Sequence, residues 1–313
     1  LCPEVRLVLG GPEVGPRACE VLEEHPELYA VVAGEGEKSV PSLLLSYARA
    51  GDPYGIPGVA CKTPQGVRMA PEEPIQVLDT IRPPYTSEHV PALDGAAYLE
   101  TFRGCPHQCA YCFEAKGSTR IRAFSWKRVA EDVARVASTP GLSSFTFIDS
   151  VFNLTLSRLE KLAEIMEPWV QKGIRLHTIE VDIESIDEHQ ARLLKKCGVV
   201  SVETGPQTTN MCTLERLQRT LDKEKFLAGV VACKSEGIRV EADLIIGLPG
   251  DGVAEVLESM HFAMKSGADI VQMSTLHVLP GTPLWDKADE YGLVFDSAAP
   301  HEIMQTNELN FRE

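Results

Sequence analysis

From Tyr98 onward the chain alternates strand-like runs with amphipathic helical segments six times, and no other feature restricts its fold so tightly. The pairs are AYLETFRG with SWKRVAEDVARVAS, SSFTFID with LSRLEKLAEIMEPWVQ, IRLHTIEVDI with DEHQARLLKKCG, VVSVETG with DKEKFLAGVVACKSEG, IRVEADLIIGLPG with VAEVLESMHFAMKSG, and DIVQMSTLHVLPG with TPLWDKADEYG. Short apolar runs rich in β-branched residues read as buried strands, and the longer 3.6-period segments as helices that cover them. Right-handed crossovers between such units give either an open doubly wound sheet or a barrel; six units over residues 95–292 suit a partial (βα)6 TIM-like barrel of the α/β class. In either architecture ligands bind at the C-terminal ends of the strands.

Ahead of that array, residues 1–75 read as strand, Gly turn, helix, strand, Gly turn, helix: VRLVLGGPEVG, PRACEVLEEH, LYAVVAGEGE and KSVPSLLLSYARAG. This is the rhythm of a parallel, Rossmann-like α/β layer. From Asp52 to about Pro91 the chain is rich in proline and turn residues (GDPYGIPG, PEEPIQ, IRPPY), which predicts a connector with short extended pieces, a domain boundary within it, and a linker over 76–94. Residues 293–313 read as the start of a C-terminal extension. The chain opens on Leu1 and enters the apolar run Val5 to Leu9 at once, so the layer reads as incomplete on its N-terminal side.

Composition narrows the class. At 44% hydrophobic residues the chain can bury a proper core, and no apolar run approaches the roughly 20 residues that span a bilayer. With no signal-like start, a soluble cytoplasmic protein is expected. The net charge of −15 argues against nucleic-acid binding, which needs a basic face to release counterions from phosphate. Nine cysteines in such a chain favour metal or redox chemistry over disulfides. Cys2, Cys19, Cys61, Cys197, Cys212 and Cys233 are scattered and read as small buried hydrophobes.

Cys105, Cys109 and Cys112 are different. They form a C-x3-C-x2-C loop that directly follows the first strand of the array, at its C-terminal end. Three thiolates suit a 4Fe-4S cluster with one iron left open to a substrate. Zinc is the alternative; it wants four ligands, and His107 or a distant cysteine could complete the set, although paired C-x2-C knuckles are absent. Around the loop Arg103, His107, Lys116, Arg120, Arg122, Lys127 and Arg128 form a local basic group, read either as solvated surface or as an anion site.

TFRGCPHQCAYCFEAKGS resembles the signature loop of the radical S-adenosylmethionine (SAM) superfamily. The resemblance implies that the three cysteines hold a 4Fe-4S cluster whose open iron is chelated by SAM, and that Tyr111 lies against the adenine. It further implies one-electron cleavage of SAM to methionine and a 5'-deoxyadenosyl radical, with an electron donor such as flavodoxin or ferredoxin. FIDSVFN stands where many members carry a glycine-glycine-glutamate stretch for the SAM amino group; that stretch is absent here, and Asp149 is the residue that occupies its place. VETGPQTTN is similar to the E-x-G-x-Q-S segment of the fourth strand, which implies Glu203 and Gln207 near the SAM ribose and carboxylate. DLIIGLPGD is similar to the fifth-strand segment that passes the adenine, with Ile245, Gly247 and Pro249 at the matching positions. LHVLPGTPLWDKADEYGLVF is similar to the sixth strand and its exit loop. Taken one at a time, the glycines also fit ordinary turns, and Glu203 or Asp149 a helix start or an arginine partner.

LVLGGPEVG and VVAGEGEKSVPSLL resemble the later half of the cobalamin-binding domain that precedes the barrel in a large subfamily, which implies Gly10, Gly11, Gly34, Glu35 and Gly36 on the cobalamin side. An ordinary α/β connection is the plain alternative. Asp187 and His189 mimic a D-x-H cobalt-ligating motif, but SIDEHQARLLKKCG lacks the glycine that should follow; Asp187 reads as a helix N-cap and His189 as an exposed helix residue. Together these point to a cobalamin-dependent radical SAM methyltransferase acting on an unreactive carbon of a small-molecule or peptide substrate. A cobalamin-independent radical SAM enzyme such as a methylthiotransferase, or a non-catalytic iron-sulfur and SAM-binding module, are the alternatives.

Overall fold

The computed structural model describes residues 5–86, 97–114, 120–294 and 310–311. The chain starts with β1 (Leu7–Gly10), α1 (Ala18–Glu24), β2 (Leu28–Val32) and α2 (Gly36–Ala48), and β1 pairs with β2 in parallel, as the βαβα rhythm requires. β3 (Val59–Thr63) and β4 (Gly66–Met69) then form a hairpin that adds antiparallel to β2, giving the sheet order β1-β2-β3-β4. Residues 59–69 are therefore sheet, where the sequence suggested connector. Val59, Ala60 and Cys61 are fully buried, and that burial holds in place a segment whose flanking prolines advertise a loop.

The second half carries β5 (Tyr98–Leu99), then a short ribbon of β6 (Phe102–Arg103) and β7 (Arg122–Ala123), then α3 (Trp126–Ala137), β8 (Ser144–Phe147), α4 (Leu156–Val170), β9 (Arg175–Leu176), β10 (Ile179–Glu180) and α5 (Glu188–Lys196). β11 (Ser201–Gln207), α6 (Met211–Arg216), α7 (Lys223–Ser235), β12 (Arg239–Ile246), α8 (Val253–Lys265), β13 (Ile270–Thr275) and α9 (Pro283–Asp286) follow. A last two-residue pair joins β14 (Leu293–Val294) to β15 (Asn310–Phe311).

β5, β8 and β9 pair in parallel, and so do β10, β11, β12 and β13. A parallel bridge from Leu176 to Val199 links the two groups, so β9 and β10 act as one strand broken at His177 and Thr178. Each strand thus lies beside its predecessor. Helices α3, α4, α5 and α7 begin on side-chain caps: Ser125, Thr155, Asp187 and Asp222 each accept a hydrogen bond from the amide three residues on, at 2.8–3.3 Å. His189 is exposed, as expected beside an N-cap at Asp187. The core lies between strands and helices, around Phe145, Phe147 and Phe152, the α4 residues Leu159, Leu162 and Met166, Leu194 and Phe226. Cys61, Cys197 and Cys233 are buried and Cys19 half-buried, but Cys212 is exposed on α6; Cys2 lies outside the described residues. Among the described residues no helix is long and apolar enough to cross a membrane.

Candidate active site

All three loop cysteines line one cavity of about 390 Å³ at the C-terminal ends of the parallel strands. Cys105 and Cys109 are buried and Cys112 half-buried. The amide of Cys112 donates to the carbonyl of Cys109 at 3.0 Å, which folds the two ends of the C-x2-C segment into a turn. Gly104, just before Cys105, has φ +101°, and a Cβ there would stand 2.5 Å from the Arg120 carbonyl oxygen. Only glycine lets the two arms of the loop approach so closely.

Other walls come from strand ends. Glu180 closes β10, Glu203 and Gln207 lie on β11, Asp243 on β12, and Arg219 follows α6. Register sets Glu180, Glu203 and Glu241 side by side across three strands. Glu241 is held by the hydroxyl of Ser201 at 2.7 Å, but the others face the cavity. Enclosure by the cavity wall, together with the charges of Glu203 and Glu114, pushes Glu180 up to about 7. Burial and a hydrogen bond with Glu203 push Asp243 up to about 8. Burial likewise raises the Tyr111 phenol. Arg219 donates from Nη1 to Cys109 Sγ at 3.4 Å and from Nη2 to the Gly205 carbonyl at 2.7 Å, so a cation stands beside one loop thiol.

The cavity is built to receive something polar. Among the described residues six buried side-chain atoms lack a hydrogen-bond partner, and three of them, Gln207 Oε1, Arg219 Nε and Asp243 Oδ1, belong to its walls. Orphaned polar atoms are costly unless a ligand satisfies them. Gln207 and Gln218, both lining it, also hold positive φ of 62° and 58°, a strain that side chains rarely accept. Among the described residues no three Cys, His, Asp or Glu side chains converge on a single point as one ion would require. Three thiols spread around one cavity fit a cluster in which each sulfur takes its own iron.

Of the residues expected from sequence, Tyr111, Glu203 and Gln207 line this cavity with the cysteines. Ile245 packs in the apolar cluster that includes Tyr111, Ala110 and Leu248; Gly247 and Pro249 follow it at the end of β12, away from the cavity wall. Asp149 is not brought into the cavity. Its carboxylate is buried and occupied by the Thr101 amide at 2.6 Å, the Thr101 hydroxyl at 2.5 Å and, more weakly, the Phe102 amide at 3.4 Å. Burial lifts it to about 6 despite those donors and nearby Arg158, and Ser150 and Val151 line the site in its stead. Glu180, Asp243 and Arg219 were missed from sequence. The available signal was period-2 polarity in strands such as IEVDI and VEADLII, where helices cover one face and carboxylates must point the other way.

A second cavity, about 640 Å³, lies between the N-terminal sheet and the strand array. Gly34, Glu35, Gly58 and Glu72 line it from one side, Arg103, Gly104, Phe113, Arg120 and Arg122 from the other, and it shares Glu114 and Ser150 with the cysteine cavity. Gly10, Gly11 and Gly36 stand outside its lining. The basic group divides: Arg103, Arg122 and Arg128 are spent in ion pairs, His107 lines the cysteine cavity and Arg120 the second one, and Lys127 is solvated surface. Arg103 and Arg122 bind Glu35, Arg103 also Glu37 and Glu100, and Arg128 binds Asp132 at 2.6 Å. Lys127 lies 4.0 Å from Glu131 on the surface, and Lys116 lies outside the described residues.

Comparison with known proteins bears on this arrangement. The profile of the radical SAM superfamily matches residues 99–263. An uncharacterized methyltransferase of Pyrococcus horikoshii is 28% identical over 296 residues, covering 91% of this chain and 63% of that protein. The anaerobic magnesium-protoporphyrin IX monomethyl ester cyclase of Rubrivivax gelatinosus is 25% identical over 308 residues, covering 94% of this chain and 55% of that one. The chain thus spans less than two thirds of the length of these relatives. Among solved structures, the radical SAM methyltransferase TsrM of Kitasatospora setae, with cobalamin and a [4Fe-4S] cluster bound, aligns with a TM-score of 0.76 at 21% identity over 92% of this chain and 58% of that one. At that identity the likeness speaks for the fold. The profile match, by contrast, runs over more than half of the chain and over the strands that carry the three-cysteine loop and its cavity; this chain belongs to the radical SAM superfamily.

Proposed function

We propose that this chain forms the core of a cobalamin-dependent radical SAM methyltransferase acting on an unreactive carbon of a small-molecule or peptide substrate. In this reading residues 95–292 are the partial (βα)6 barrel, residues 1–75 a Rossmann-like layer of the cobalamin-binding type, 76–94 the linker, and 293–313 the start of a C-terminal extension. The observation that carries it is the meeting of the two cavities at Glu114 and Ser150: a ligand held between the layers stands next to whatever the cysteine cavity holds. Methyl transfer driven by a radical needs that adjacency, because both reacting partners must be in line with one substrate carbon.

Cys105, Cys109 and Cys112 hold the 4Fe-4S cluster, and Arg219 donates a hydrogen bond to the Cys109 sulfur. When bound, the cluster supplies the electron that cleaves SAM to methionine and a 5'-deoxyadenosyl radical, and cobalamin carries the methyl group. Glu203 and Gln207 offer acceptors and a donor to the ribose and amino-acid end of SAM, while Tyr111, backed by the apolar cluster that includes Ile245, offers an apolar wall to its adenine. Gly34 and Glu35 present the layer's side of the second cavity to cobalamin. Flavodoxin or ferredoxin supplies the electron.

Anaerobic reconstitution should load about four irons per chain, and Cys109→Ala should abolish the cluster; zinc in place of iron would overturn the cluster assignment. With dithionite or titanium citrate the loaded protein should release 5'-deoxyadenosine from SAM. Retention of hydroxocobalamin through gel filtration supports cobalamin dependence. SAM cleavage without any cobalamin retention favours the cobalamin-independent alternative, and an intact cluster with bound SAM that never turns over favours a binding module.

A further inference from the structure

The loop that carries the cysteines leaves the barrel through a narrow neck. β6 and β7 pair antiparallel with Phe102 opposite Ala123 and Arg103 opposite Arg122, so the two arginines stand abreast where the loop begins and ends. Both guanidiniums reach Glu35 of the N-terminal layer, Arg122 as its main partner and Arg103 as a neighbour that also pairs with Glu37 of the layer and Glu100 of the barrel. Arg122 grips Glu35 with two parallel bonds, Nη2 to Oε1 at 2.7 Å and Nη1 to Oε2 at 2.9 Å, and Arg103 Nη1 lies 3.3 Å from Oε1. The Ile75 amide donates to Oε2 at 2.7 Å, and the Ile75 carbonyl accepts from Arg122 Nη1 at 2.8 Å, so the chain that leaves the layer closes the same knot. Glu35 and both arginines are at most 19% exposed. Bidentate, partly enclosed pairs of this kind are strong and directional, unlike surface ion pairs.

Glu35 is also the N-cap of α2 and follows Gly34, which lines the interlayer cavity with it. One residue therefore touches the ligand-facing turn of the layer and both ends of the cluster loop.

We propose that Glu35 is a positioning residue that, through Arg122 and Arg103, fixes the neck of the cluster loop relative to the interlayer cavity. The consequence for the cluster rests on the radical SAM assignment, whereas the tie between the layers does not. Losing the carboxylate charge takes the fork from Arg122 and one neighbour from Arg103, which Glu37 and Glu100 still pair, so the neck loosens from its Arg122 arm. Replacing Arg122 by lysine keeps the charge but loses the fork, and acts on the same knot.

The test compares wild type, Glu35→Gln, Arg122→Lys and the double variant, each as the full chain. Hydrogen exchange of peptides spanning 101–104 and 121–124 should quicken by about tenfold in each single variant, with no further gain in the double, while 201–207 stays unchanged. At equal iron content, the paramagnetic resonance spectrum of the dithionite-reduced cluster should shift in line shape in both single variants. Unchanged exchange at the neck overturns the tie. Quickened exchange with an unaltered cluster spectrum overturns the positioning role and leaves only a structural one. If wild type takes up no cluster, the cluster assignment of the three cysteines fails on its own and the positioning role with it, while exchange still decides the tie. Should Glu35→Gln loosen the whole chain, 201–207 included, Arg122→Lys decides alone.

Discussion

At the residue scale the site depends on which polar atoms already have partners. Asp149 illustrates one extreme: its oxygens are occupied by Thr101 and Phe102, so it ties the start of the cluster loop to the end of β8. Thr101→Val removes one donor from a buried carboxylate, and we expect it to cost about 1–3 kcal/mol, read as a lower midpoint in urea. Gln207, Arg219 and Asp243 illustrate the other extreme, with atoms left unpaired in the cavity wall. Asp243→Asn should weaken binding of SAM or substrate yet leave the fold intact, a split that ligand titration alongside thermal melting would expose. That Cys105, Cys109, Cys112, Tyr111, Glu203 and Gln207 would share one cavity was legible because they sit in motifs at successive strand ends. Arg219 was not, since it lies 110 positions from the thiol it bonds and no local pattern signals such a contact.

At the scale of elements, the six strand-helix units were legible because hydrophobic period and N-caps agreed at nearly every boundary. The β3–β4 hairpin was not, since its stability comes from pairing with β2, a nonlocal contact that propensity does not report. The β6–β7 neck also depends on nonlocal contact, here backbone against backbone. Gly104→Ala puts a Cβ 2.5 Å from the Arg120 carbonyl at a φ of +101°. We expect about 1–3 kcal/mol of strain, relieved by opening the neck, so iron uptake on reconstitution should fall well below that of wild type. Gly229 on α7 is a second such point: its hydrogen stands against the Ile183 carbonyl, and Gly229→Ala should lower the urea midpoint by about 1–3 kcal/mol in stability without touching iron content.

Over the whole molecule, pH acts in opposite directions on two sets of buried carboxyls. Asp149, Glu180 and Asp243 have folded values raised to about 6, about 7 and about 8, chiefly by burial. A raised carboxyl contributes stability at low pH that is lost as pH rises, so the cofactor-free protein should melt at progressively lower temperature from about pH 4 to about pH 8. Burial acts against Glu35 too, but Arg122, the Ile75 amide and Arg103 overcome it and hold the carboxyl down to about 2. Its contribution is present above its ordinary value and is lost as pH falls from about 4.5 to 2, which sets the acid limb. Melting temperature should therefore peak near pH 4–5, and Asp243→Asn should flatten the decline above pH 7; a melting temperature that rises from pH 5 to 8 would contradict these shifts. The sequence by itself determined the α/β alternation, the three-cysteine loop and the family, because periodicity and a compact motif are local properties of a chain. Only the tertiary structure decided that Asp149 is spent on Thr101, that Arg219 serves Cys109, and that Glu35 holds the cluster loop, because each depends on atoms brought together from distant positions, where burial and charge, not spacing, set what a side chain does.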